Sequence, residues 1–199
     1  MRVVAVVACL ALVAGGCVLK HSASARLYVL QAVAREPAAA TGDAPRGVLG
    51  VQRVSVPAWM DRPEITSRTG RGEIVADPLA RWGEPITRGI QRVIAENLAA
   101  LLPTRHLVAA PYPVGQPVDH RLDIAITEGA RQSDGTVLLE ARWAILDRDG
   151  AVLVQRRSSY RTGVAATAEA TVGATSEALA LLSGDIATAV RGLPAAATP

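Results

Sequence analysis

"RLDIAITEGARQSDGTVLLEARWAILDRDGAVLVQRRSSY", residues 121–160, opens with two segments that alternate apolar and polar side chains with the two-residue period of a β-strand. Leu122, Ile124 and Ile126 share one parity; Arg121, Asp123 and Thr127 share the other. Beyond a Ser133-Asp134-Gly135 turn, Val137, Leu139, Ala141, Trp143 and Ile145 alternate with Glu140 and Arg142. A second turn, Asp147-Arg148-Asp149-Gly150, leads into a third strand from Ala151 to Tyr160. Acidic turns closed by glycine are hairpin signals, so the stretch predicts a three-stranded antiparallel meander. Its apolar face needs helices to cover it.

The flanking sequence supplies two. Pro85 opens a helix in which Ile86, Ile90, Val93, Ile94, Asn97, Leu98, Leu101 and Leu102 follow three- and four-residue spacing. Arg88, Gln91, Arg92 and Glu96 fall on the opposite side, and Pro103 is the stop. Asn97, inside the apolar stripe, reads as a buried amide bonded to neighbouring backbone. The second helix runs from about Thr167 to Arg191 with a stripe of Val172, Leu179, Leu182, Ile186 and Val190; Gly192 and Pro194 end it. Upstream, Leu27 to Val33 and Val48 to Val56 read as strands, the second apolar on both parities and so covered on both faces for part of its length. Ile65 to Thr69 and Glu73 to Ala76 suggest a short hairpin around Gly70-Arg71-Gly72. Residues 34–46 and 106–118 carry loop or extended signals. The expected fold is a single-domain α/β (α+β) sandwich over 26–192, with a mixed, largely antiparallel sheet and two main amphipathic helices; 193–199 form a disordered tail.

The N-terminus reads as an export signal over 1–16. Arg2 precedes an apolar run from Val3 to Ala14 that is too short to span a bilayer, and Ala14-Gly15-Gly16-Cys17 resembles a bacterial lipobox with Ala where Leu is usual. On that resemblance Cys17 is the lipid attachment site, and residues 17–25 form the acylated N-terminus and tether. Residue two of the processed chain is Val18 rather than Asp, which in enteric lipoproteins favours the outer membrane. Cys9 leaves with the signal, so no disulfide or thiolate metal site is expected. The formal net charge is only +3 and aromatic residues make up 3%, which argues against nucleic-acid binding.

Catalytic and cofactor motifs are missing. The one lysine, Lys20, lies in the tether, so no phosphate-binding loop forms. His21, His106 and His120 lack ligand spacing, and Ser176 lacks the glycines of a nucleophile elbow. Asp147-Arg148-Asp149-Gly150 lacks the remaining ligands of a calcium loop and reads as a hairpin turn. No enzyme activity, metal or cofactor beyond the lipid on Cys17 is expected.

"SVPAWMDRPEI", residues 55–65, sets Trp59 and Met60 between Pro57 and Pro63 in a chain without phenylalanine. The prolines place it in a loop or at a strand edge. Two readings of Trp59 and Met60 stand: a core plug, or a contact for a protein or lipid partner. Asp61 and Arg62 read either as a local cap or pair, or as part of the same contact.

"RLYVLQA", "VSVPAWMDRPEITSR" and "RWGEPITRGIQRVIAENLAALLP", in that order, resemble the ABC-type transport auxiliary lipoproteins, the PqiC/YmbA-like family. Trp59-Met60 departs from the Tyr-Leu type pair common there. The resemblance implies a periplasm-facing lipoprotein anchored in the outer membrane, serving an MCE-type lipid transport system. Its partners would be an MCE-domain periplasmic protein and the inner-membrane ABC permease and ATPase, with self-association a further option. It adds Trp82 to Trp59, Met60, Asp61 and Arg62 as candidate partner or lipid contacts. Two alternatives are a lipid-binding lipoprotein holding cargo itself and a structural lipoprotein of the envelope.

Overall fold

The computed structural model describes residues 24–34, 47–70, 72–102 and 107–193. The expected signal peptide, Cys17, most of the tether, His21, Pro103, His106 and the tail from 194 onward lie outside the described residues. In chain order the elements are β1 (Arg26–Tyr28), β2 (Leu49–Val51), β3 (Glu64–Arg68), β4 (Ile74–Trp82), α1 (Ile86–Leu101), β5 (Leu107–Ala109), β6 (His120–Arg131), β7 (Thr136–Asp147), β8 (Val152–Val164) and α2 (Ala168–Arg191).

The meander is present as β6, β7 and β8, paired antiparallel along nearly their whole length. Both turns form at the glycines expected: Gly135 and Gly150 have φ of +84° and +90°. Burial alternates along β6 and β7 as the sequence does. Leu122, Ile124, Leu139, Trp143 and Ile145 join the core with Ile90, Ile94 and Leu98 of α1 and Leu179, Leu182 and Ile186 of α2. The architecture is therefore α+β, with two helices and a mixed sheet. Trp143 is 2% exposed, and its indole N–H donates to Ser158 Oγ at 3.0 Å, the partner a buried indole needs. Asp185 of α2 accepts from Ser158 at 3.5 Å and from the Tyr160 hydroxyl, tying α2 to β8. Burial, and then the adjacent Asp185 carboxylate, raise the Tyr160 pKa.

β6 organises the rest. One edge carries β7; along the other, the chain from Leu49 to Arg68 runs parallel to it, touching at β2, at a Ser55–Ala125 bridge and at Ser67–Arg131. β3 then turns back into β4, and β1 joins β4 in parallel. The strand expected over Val48 to Val56 is thus a short β2, buried at all three residues, followed by that bridge. The hairpin's second strand extends to Trp82 instead of ending near Ala76. Pro78 does not end it because the chain bulges there: Asp77 Oδ1 accepts from the Leu79 N–H at 2.8 Å, and extra residues separate the Thr66–Ala76 and Glu64–Arg81 pairs.

The first strand also ends early, at Tyr28. Leu30 drops into the core, Gln31 N–H donates to Ser176 Oγ of α2 at 3.2 Å, and Ala34 N–H donates to Asn97 Oδ1 of α1 at 2.9 Å. Asn97 is the buried, backbone-bonded amide the sequence suggested. Gln91, expected on the polar side of α1, is instead buried: its side-chain N–H₂ donates to Val51 O at 3.1 Å and Ala110 O at 3.0 Å. It serves the ends of β2 and β5, a parallel pair that the 106–118 stretch had not suggested.

Candidate functional site

The 55–65 stretch leaves β6 at Ser55 and turns into β3, which meets β6 again at Ser67. Ser55 exchanges bonds with β6, accepting from Ile126 N at 2.9 Å and donating to Ile124 O at 3.1 Å. Pro57 O then accepts from the N–H groups of Met60 and Asp61 at 2.9 and 3.2 Å, and Pro63 O accepts from Trp82 N at 2.7 Å. The prolines therefore sit where their missing N–H is not needed, and the loop is pinned to β4 on re-entry.

Met60 points inward and is 6% exposed. It fills the space above Gly129 of β6, where an added Cβ would come within 2.5 Å of Met60 Cε. This removes Met60 from the contact set considered at the sequence level and makes it the plug of the loop. Trp59 is half-buried beside it, with the Arg68 guanidinium 5.2 Å from its ring centroid. Arg68 also pairs with the buried Glu128 at 2.8 Å. An arginine and an acid, neither foreseen as important, thus fix the indole.

Asp61 and Arg62 are exposed and do not pair with each other. Arg62 Nε donates to Glu64 Oε2 at 3.0 Å, and Arg81 Nη2 donates to Glu64 Oε1 at 2.8 Å. Hydrogen bonds from Arg81 and then Arg62 hold the Glu64 pKa down at about 2. One carboxylate thereby holds two guanidinium groups side by side while Asp61 has no ion-pair partner among the described residues. Spacing could have shown half of this, since Arg62 and Glu64 sit only two residues apart. Arg81 could not be placed there without the pairing of β3 with β4.

Asp61, Arg62 and Trp82 meet in one open groove of about 350 Å³, whose walls include Pro63 and Pro85. Trp82 is half-buried, leaving part of its indole to the groove. The groove couples a partly apolar aromatic wall to a charged rim, the composition of a protein-contact site. Among the described residues no group of three His, Cys, Asp or Glu is placed to hold a metal. Ser176, considered above as a nucleophile, donates its hydroxyl to Val172 O at 2.9 Å. His120 is buried at the start of β6.

The sequence model of the ABC-type transport auxiliary lipoprotein component matches residues 28–187. A crystal structure of a Xanthomonas campestris protein superposes with a TM-score of 0.71 at 17% identity, covering 84% of this chain and 97% of that one. A crystal structure of an uncharacterized protein gives 0.68 at 19% identity, covering 84% and 99%. Both likenesses are of fold. No curated protein matches the sequence.

Proposed function

The chain belongs to the family of ABC-type transport auxiliary lipoproteins, and from that membership we propose that it is a non-enzymatic adaptor of an MCE-type lipid transport system. In this reading acyl chains on Cys17 hold it to the periplasmic face of the outer membrane, and the folded domain receives the far end of the MCE protein that bridges from the inner-membrane permease and ATPase. The observation that carries the docking role is the groove in which Asp61, Arg62 and Trp82 converge. A partner can bury the free Trp82 surface there, with Asp61 and the Arg62–Glu64–Arg81 row setting its register by charge. The large aliphatic side chains that a cargo cavity would need, Leu122, Leu179, Leu182 and Ile186 among them, are spent in the core, which favours an adaptor over a carrier.

The test is co-purification of the MCE partner from envelopes. Trp82→Ala combined with Asp61→Arg is expected to lower recovery at least tenfold while the fold is kept. Cys17→Ser is expected to leave an unprocessed form in the inner membrane. Full partner recovery with the groove variant would overturn the docking site, and normal processing of the serine variant would overturn the anchor.

A further inference from the structure

We propose that the outer face of the β1–β4 edge is a membrane-contact surface that lies against the headgroup layer of the bilayer. It rests on the reading that Cys17 carries the lipid, and it goes beyond it by saying which way the domain faces. Leu27 and Val29 are 70% and 48% exposed, and Leu79 is 47% exposed. The parallel register sets Leu27 beside Arg81. Val29 packs over Gly83 so closely that a Cβ there would lie 3.0 Å from Val29 Cγ1. On β4, Leu79 and Arg81 alternate with the buried Ala80 and half-buried Trp82, so they present one outward row, with Gly83 just beyond the strand. The bulge at Asp77 pushes Pro78 and Leu79 outward at its end, and the Asp77 side chain braces that turn.

Position selects the occupant. The first described residue, Ser24, leads straight into β1, and Cys17 lies seven positions earlier. Seven extended residues reach at most about 25 Å, so an acylated Cys17 limits Ser24, two residues before β1, to within about that distance of the lipid. The chemistry agrees: three exposed aliphatic side chains lie beside Arg81, whose stem can run along apolar surface while the guanidinium N–H groups not given to Glu64 remain for phosphate. Such a contact is too small to anchor the protein alone. Its effect is orientation, and it sets the Asp61–Trp82 groove, a few residues further along β4, close to the membrane.

The experiment uses the full, lipidated chain in phosphatidylethanolamine/phosphatidylglycerol vesicles. Acylated Cys17 offers no free thiol, so single cysteines from Leu27→Cys, Leu79→Cys or Leu153→Cys can carry an environment-sensitive fluorophore. Leu153 lies on β8, which joins the sheet through β7 on the other edge of β6 from β3, β4 and β1. The proposal expects blue-shifted emission and at least twofold quenching by headgroup-proximal nitroxide lipids at positions 27 and 79, and neither effect at 153. A floating, acylated protein with no quenching at 27 or 79, or with equal quenching at all three, would overturn the surface while leaving the anchor intact. Burial of the two probes in detergent, growing with protein concentration, would make the face an interface between copies and also overturn it. If the chain neither floats nor shows acyl mass on Cys17, the anchoring reading fails and takes this one with it.

Discussion

The thioether of Met60 and the bare backbone of Gly129 form one packing unit, since each occupies space the other leaves. Met60→Ala should destabilise the protein by about 2–5 kcal/mol, and Gly129→Ala by about 1–3 kcal/mol through overpacking, both read by chemical denaturation. The double variant should cost less than the two together, because the alanine at 60 withdraws from the methyl added at 129. Glu64 makes a different prediction, in pH. Its folded pKa of about 2 lies below the ordinary 4.5, so the folded state favours the carboxylate. The stabilisation is present above pH 4.5 and is lost as pH falls towards 2. A carboxyl titration by NMR should place Glu64 near 2, and Arg81→Ala should move its midpoint upward. These pairings join positions far apart in the chain, so side-chain identity alone could not announce them; Trp59 and Met60 had remained open between plug and contact for that reason.

The elements that were legible in the sequence are those with a period of their own. β6, β7 and the two helices each repeat an apolar signal over ten residues or more, and the turns into β7 and β8 carry glycine where the backbone requires it. The strands missed or cut short are β1, β2 and β5, three residues each and held by parallel partners distant in sequence. Three residues carry no readable period, and a parallel neighbour leaves no turn behind. Gln91 shows the same limit inside a helix: hydropathy assigns an amide to the wet side, whereas two strand ends offer it carbonyls. Gln91→Leu should cost about 1–3 kcal/mol, since Ala110 O then loses its side-chain donor beneath α1. Hydrogen exchange at Ala110 N, which donates to Val51 O at 2.9 Å, should accelerate more than exchange along β7.

At the scale of the molecule, the family resemblance named the 55–65 stretch and Trp82 as candidate contacts, and the structure brings Asp61, Arg62 and Trp82 to one groove. That juxtaposition comes from the return of β3 onto β4, where Pro63 O accepts from Trp82 N–H. The outer strands β8 and β1 also differ: β8 runs thirteen residues and exposes Arg156, Arg157 and Arg161, whereas β1 is a three-residue fringe. Short as it is, β1 is followed by Leu30 locked in the core, by Gln31 bonded to α2 and by Ala34 bonded to α1. Any tension arriving from upstream of Ser24 therefore loads the β1–β4 bonds first and then the junction of both helices, instead of peeling away a loose terminus. Stretching single molecules between the N-terminus and the C-terminal end of α2 should give one cooperative rupture, and Leu30→Ala should lower its force. A pull applied at residue 26 is thereby a pull on the whole fold, because successive contacts tie that three-residue strand to the core and to both helices.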